Sequence, residues 1–273
     1  MDDRPIGFFD SGLGGLTCVT HVMDSLPNER IIYFGDTART PYGSKAESTI
    51  KKFSNQITDF LIRQDVKMIV IACNTVSATC LEELRKRHKD IPIIGIIEPA
   101  AYEIAQNCNS GNNIGVIGTK ATVKSRAYDI YISKYKADLK IFSTACPAFV
   151  PLIEEGIIEN EIMDLSVKHY LDKFISYNKI DTLVLGCTHY PLIKKNIEKL
   201  YPELKIVNPS KIIFENIRKE LETLNGFASE KKGEHIFYAS DLSENFINMI
   251  NRIFKDTGFT VKFKNFEIND TAI

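Results

Sequence analysis

Val70-Ile71-Ala72-Cys73-Asn74-Thr75 and Val184-Leu185-Gly186-Cys187-Thr188-His189 are the two stretches whose reading decides the fold. Each is a short apolar run that ends in cysteine and continues into amide, hydroxyl or imidazole side chains. Each precedes a stretch with a helical pattern. A buried parallel strand has this continuous apolar character, and open α/β sheets bind ligands at the carboxyl ends of their strands. The chain therefore presents one chemical group twice, at two similar strand ends.

Upstream of Cys73, Pro5-Ile6-Gly7-Phe8-Phe9 reads as a first strand running into the glycine-rich turn Asp10-Ser11-Gly12-Leu13-Gly14-Gly15-Leu16. Such a turn, followed by a helix, lets backbone N–H groups approach an anion. Its spacing matches neither GxGxxG nor GxxxxGK[ST], so dinucleotide and P-loop readings are discounted. A second strand covers 30–35. Apolar Ile50, Phe53, Ile57, Phe60 and Leu61 predict one face of a helix over 45–64. A third strand over 67–72 delivers Cys73, a helix follows over 77–88, and a fourth strand covers 91–97.

A comparable order then begins again. Asn113-Ile114-Gly115-Val116-Ile117-Gly118-Thr119 echoes the first strand, and Thr122 lies just beyond. A helix over 123–135, a strand over 139–144 and a helix over 161–177 lead to the strand over 181–186 that delivers Cys187; another helix covers 192–200. This is a weak internal repeat of pattern rather than identity. Beyond Pro209 come a helix to about residue 224, a polar linker over 225–234, a strand over 235–239, a helix over 243–254 and a strand over 259–263. This tail could complete the sheet of either half. The alternation predicts an α/β fold of two similar lobes, each a mainly parallel sheet flanked by helices, with the active-site cleft between them.

The 273 residues are 44% hydrophobic and 25% charged, with a formal net charge of −1. No long basic block is present, which argues against nucleic acid or an anionic membrane as partner. The acidic start Met1-Asp2-Asp3 does not read as a signal peptide, and no apolar run reaches the ~18 residues of a membrane span. Cys18, Cys73, Cys80, Cys108, Cys146 and Cys187 form no CxxC pair, so free thiols in a reducing cytoplasm are expected.

A thiolate is both nucleophile and base, and its pKa falls at helix N-termini. Two matched cysteines facing across a cleft would put one thiol on each side of a substrate carbon. That geometry removes a proton from one face of a stereocentre and returns one to the other, with one group deprotonated and its partner protonated. Asp10 and His189 could relay thiol protons. Ser11, Asn74, Thr75, Thr119, Thr122 and Thr188 offer neutral partners for a carboxylate and an ammonium. The plainer alternatives are buried apolar cysteines, Asp10 as a helix cap, an exposed Glu154 and an architectural glycine turn. No second His or Cys stands at zinc-like spacing from His189, so no metal is expected.

Together, Phe9 to Leu16, Gly35-Asp36-Thr37-Ala38-Arg39, Pro41-Tyr42-Gly43, Ala72-Cys73-Asn74-Thr75 and Gly186-Cys187-Thr188-His189-Tyr190-Pro191 resemble the aspartate/glutamate racemase family, on its glutamate branch. The resemblance covers essentially the whole chain. It implies cofactor-independent racemisation of glutamate, with Cys73 and Cys187 as the two bases. Asp10 would assist Cys73 and His189 would assist Cys187, while Glu154 would stand near the second thiol. Ser11, Tyr42, Gly43, Asn74, Thr75, Thr119, Thr122 and Thr188, together with Asp10 and His189, would hold the substrate. It also implies a discontinuous first lobe (1–97 with 208–273), a second lobe (98–207), a homodimer, and D-glutamate supplied to peptidoglycan. Competing readings are an aspartate or hydantoin racemase, a thiol–disulfide protein and a non-catalytic amino-acid-binding module.

Overall fold

Strands that are apolar on both faces have to be covered on both faces, and that demand sets the layers of this protein. The computed structural model describes residues 1–230, 232–254 and 258–266. The first run of elements is β1 (Ile6–Asp10), α1 (Leu16–Ser25), β2 (Ile31–Gly35), α2 (Glu47–Arg63), β3 (Met68–Ile71), α3 (Asn74–Thr79), α4 (Leu81–Arg87), β4 (Ile93–Gly95) and α5 (Ile97–Asn107). The second run is β5 (Asn113–Gly118), α6 (Lys120–Ser125), α7 (Ala127–Tyr135), β6 (Lys140–Ala145), α8 (Phe149–Glu154), α9 (Glu161–Asn178), β7 (Thr182–Gly186), α10 (Lys194–Leu200) and β8 (Lys205–Val207). The chain then returns through α11 (Pro209–Thr223), β9 (His235–Ala239), α12 (Glu244–Ile253) and β10 (Phe259–Phe263).

Every strand pairing is parallel. One sheet has the order β10-β9-β2-β1-β3-β4 and the other β6-β5-β7-β8. The second sheet reproduces the inner order of the first, β2-β1-β3-β4, with β5, β6, β7 and β8 standing for β1, β2, β3 and β4. The pattern repeat is thus a repeat of topology. It has a steric basis too. A Cβ on Gly7 would meet Val66 Cγ2 at 3.1 Å, and one on Gly115 would meet Ile180 Cγ2 at 2.8 Å. In both lobes the Ile-Gly strand leaves room for a branched apolar side chain just ahead of the cysteine strand. The tail, which the residue pattern left unplaced, adds β9 and β10 to the first sheet through β2.

Several boundaries differ from expectation. The helix predicted over 77–88 starts at Asn74 and breaks at Cys80, which has φ −126°. The helix predicted over 123–135 is two helices, broken where Arg126 adopts a left-handed conformation with φ 56°. The strand predicted over 91–97 is only β4, and Ile97 already opens α5, which was not foreseen. Pro99 masks α5 in the sequence, yet it falls in the first turn, where its missing N–H costs nothing. The three-residue edge strand β8 is too short to show a period. Lys231 of the predicted linker and the terminal 267–273 lie outside the described residues.

One apolar cluster runs through both lobes. It joins Ile6, Phe8 and Val70 of the first sheet to Ile114, Val116 and Val184 of the second through Ile97, Ala101 and Ile104 of α5 and Ile213 and Ile217 of α11. Separate clusters fill the outer faces of the two sheets. Among the described residues no helix is long and apolar enough to cross a membrane.

The returning segment is also fastened by a buried ion pair. Lys67 Nζ lies 2.6 Å from Glu29 Oε2 and donates to the carbonyls of Asp2 (2.8 Å) and Gly226 (2.7 Å). Glu29 Oε1 accepts from the Ala228 N–H. Removing one partner strands the other as a buried charge, at a cost of about 3–5 kcal/mol. Lys67→Met should therefore lower unfolding free energy by about that amount. Urea denaturation checks this, and a loss below about 1 kcal/mol would show that the pair is dispensable.

Candidate active site

Parallel register carries β1, β3 and β7 to the cleft with their carboxyl ends, and the thiols follow from it. Cys73 directly follows β3 and stands at the N-cap of α3. Cys187 directly follows β7. Both are buried and unpaired, as are the other four cysteines. Between them lies a cavity lined by Ser11, Pro41, Tyr42, Gly43, Cys73, Asn74, Thr75, Thr119, Val150, Cys187, Thr188 and His189. It leaves about 20 Å³ for occupants of water size, room for a water molecule and little more.

Ten of the expected site residues line this cavity, and the other three stand one contact behind it. Asp10, fully buried at the end of β1, accepts from the Gly12 N–H at 3.1 Å and from the Thr188 hydroxyl at 3.2 Å. Glu154, at the end of α8, meets His189 Nε2 at 3.1 Å. Thr122 shares hydroxyl contacts with Thr119 (3.0 Å) and Thr75 (3.4 Å), and Thr75 meets Thr119 at 2.9 Å. Those three hydroxyls bridge the lobes.

The glycine-rich turn serves this approach. A Cβ on Gly14 would come within 2.7 Å of His189 Nδ1 and 2.8 Å of the Thr188 carbonyl carbon. A Cβ on Gly43 would collide with Thr119. Neither glycine has positive φ, so both are required for close contact rather than for backbone freedom.

The two thiols have different neighbours. Cys73 donates to Ser11 Oγ at 3.5 Å. Burial, with the Asp10 charge adding to it, pushes the Cys73 thiol up to about 12, so it is protonated at neutral pH. Burial likewise raises the Asp10 carboxyl, against the opposing pull of His189 and the turn N–H groups. Cys187 Sγ lies 3.9 Å from His189 Nδ1. Burial alone would lower the His189 pKa, but its contacts with Cys187 and Glu154 outweigh burial and bring it to about 10. These contacts favour the imidazolium form of His189, held between the Cys187 sulfur and the Glu154 side chain.

Two residues with no role assigned from the sequence support the lining. Asp36, fully buried after β2, accepts from the Tyr42 hydroxyl, from Ser240 Oγ (2.7 Å) and from Arg39 Nε (2.7 Å). Its place at a strand end was the available signal. Tyr128 of α7 donates to Asn74 Oδ1 at 2.7 Å, and no sequence signal marks it.

Comparison with known proteins agrees with this geometry. The profile described as Asp/Glu/Hydantoin racemase matches residues 17–217. The glutamate racemase of Chlorobaculum tepidum is 45% identical over 93% of each chain. The crystal structure of glutamate racemase from Francisella tularensis in complex with D-glutamate superposes with TM-score 0.90, at 39% identity over 98% of this chain and 99% of that one. That of Thermus thermophilus glutamate racemase in complex with beta-chloro-D-alanine gives TM-score 0.85, at 36% identity over 98% and 99%. These matches define an isomerase of the amino-acid racemase class. The chain belongs to the Asp/Glu/Hydantoin racemase family.

The raised His189 pKa has a signed consequence for stability. Relative to an unfolded histidine at about 6.5, it stabilises the fold fully below that pH, and the contribution is lost as pH rises toward about 10. The stability advantage over His189→Gln should therefore be larger at pH 6 than at pH 10. Denaturant titrations at the two values check it, and an advantage independent of pH would show that His189 is not charged in the fold.

Proposed function

We propose that this chain interconverts L- and D-glutamate by transferring protons between the substrate α-carbon and two thiols, Cys73 and Cys187. The observation that carries the reading is the pair of cysteines at equivalent strand ends, both lining one small cavity. By analogy with the family, Cys187 takes the α-proton of L-glutamate while the Cys73 thiol delivers a proton to the opposite face. For D-glutamate the roles reverse. A protonated Cys73 fits the donor role, and a cationic His189 held by Glu154 beside Cys187 is a fitting partner for a sulfur anion. Asp10 is the carboxyl neighbour of Cys73 and is assigned to assist it.

The α-proton of an amino acid is a weak acid, so the developing carbanion needs fixed donors in a dry site. Ser11, Thr75, Thr119 and Thr188 supply neutral donors, Asn74 offers a partner for the substrate carboxylate, and Tyr42 and Gly43 close the wall; Thr122 steadies the hydroxyls. The cavity is far too small for glutamate as it stands, so the lobes part to admit substrate and close for chemistry. The units that move are taken as 1–97 with 208–273 and 98–207. By analogy with the family, the reading extends to a homodimer in the cytoplasm that supplies D-glutamate for peptidoglycan. The net charge of −1 gives no support to a nucleic-acid partner.

Incubation with L-glutamate in heavy water tests the proposal. Loss of optical rotation with early deuterium mainly in the D product supports two bases. Early deuterium mainly in recovered L-glutamate points to one base that seldom inverts. No change in rotation and no exchange would overturn glutamate as substrate, and aspartate is then the next to assay. Cys73→Ala and Cys187→Ala should each lower turnover by roughly 10³-fold or more, and near-normal turnover in either would overturn the two-thiol scheme. Gly14→Ala, which drives a methyl group into Thr188 and His189, should reduce turnover by about 10²-fold. Circular dichroism at 37 °C reads both series, and an unimpaired Gly14→Ala would show that the turn can yield.

A further inference from the structure

Tyr128 is almost completely buried in the second lobe, yet its hydroxyl ends in the first. It donates to Asn74 Oδ1, and Asn74 directly follows Cys73 and lines the cavity. The ring itself leans on the second cysteine strand: a Cβ on Gly186 would meet Tyr128 Cε2, next to the hydroxyl-bearing carbon, at 3.2 Å. Gly186 directly precedes Cys187. One side chain therefore reaches from the residue before one thiol to the residue after the other.

The other half of the Asn74 amide is the second observation. Asn74 is 2% exposed, and its Nδ2 is buried without a hydrogen-bond partner among the described residues. An unpaired buried amide N–H group is costly unless a partner arrives. Burial, with the nearby Cys187 adding to it, raises the Tyr128 pKa well beyond the working range, so its hydroxyl keeps its proton and remains a donor. Asn74 Oδ1 is the acceptor of that proton among the described residues. If the amide were reversed, the phenol proton would lose this acceptor. The bond thus holds Oδ1 toward the ring and leaves Nδ2 free of it, beside the cavity.

We infer that Tyr128 is a positioning residue: it fixes the Asn74 amide so that Nδ2 is presented to a carboxylate oxygen of the bound amino acid. Because the bond crosses between lobes, the donor is aligned only when the cleft is closed. The inference rests on the racemase reading. It concerns binding shared by ground and transition states, so its loss should fall on KM rather than on kcat.

Tyr128→Phe keeps the ring against Gly186 and removes only the hydroxyl. Racemisation of L-glutamate is followed by circular dichroism in the wild type, Tyr128→Phe, Asn74→Ala and the double variant. Tyr128→Phe is expected to raise KM about tenfold, the scale of one charge-assisted hydrogen bond, with kcat within about twofold. The double variant should match Asn74→Ala, since no amide remains to be positioned. Wild-type kinetics in Tyr128→Phe would overturn the inference. So would a full additional loss in the Asn74→Ala background, or a loss confined to kcat. Asn74→Asp gives a check that does not depend on Tyr128→Phe folding, because it keeps the acceptor for Tyr128 and removes the donor. KM should rise at least as far as in Asn74→Ala, and a wild-type KM would overturn the inference. Absence of turnover in the wild type would overturn the glutamate reading together with this one, whereas the other adverse outcomes leave racemisation standing.

Discussion

The contact on which the site depends is the seating of the first lobe's glycine turn against Thr188 and His189 of the second. Gly14 has no room for a single methyl group there. The same approach brings the Thr188 hydroxyl to Asp10 and places Gly12 beside Glu154. A bulkier turn would hold the strand ends apart, and each cysteine would then face water rather than the other lobe. The close approach of the two cysteine strand ends therefore rests on one steric fact. Parallel topology makes it possible, because both cysteine strands present their carboxyl ends to the same gap.

The shared core limits how that gap can widen. Helices α5 and α11 contribute to an apolar cluster reaching both sheets, so the lobes are two faces of one packed body on that side. Pulling them fully apart would expose this cluster, whose burial is worth roughly 25 cal/mol per Å² of apolar surface. A small rotation about the packed side opens the cleft at far lower cost. Bonds that such an opening would break on the cleft side include Thr75 with Thr119, Thr188 with Asp10, Thr40 with Glu154, and Tyr128 with Asn74.

Much of this was legible in the residues because strand ends are written locally. An apolar run broken by Cys-Asn-Thr or Cys-Thr-His needs no tertiary information to be read as a buried strand reaching a polar cavity. The repeat was visible for the same reason, since Gly7 and Gly115 answer the same local crowding by Val66 and Ile180. What escaped depends on partners distant in sequence. Helix α5 hid behind Pro99, and β8 was too short to show a period. Tyr128 reads as an ordinary core aromatic until the fold sets its hydroxyl 2.7 Å from a residue 54 positions away. Asp36 was inside a recognisable motif, but its three donors come from Arg39, Tyr42 and the distant Ser240. The division of the tail between the lobes was likewise undetermined by local pattern, because either sheet offered it an edge.

The two halves repeat one another in strand order but not in what surrounds their sulfurs: Ser11 and Asp10 attend Cys73, while His189 and Glu154 attend Cys187. Mirror-image substrates have equal free energies in water, so the equilibrium constant of the proposed reaction is one. The ratio kcat/KM must then be the same for both enantiomers, whatever the site looks like. The dissimilar surroundings of the two sulfurs cannot favour one direction at low substrate. They can only move kcat and KM together, so that the enantiomer held more tightly is also the one turned over more slowly.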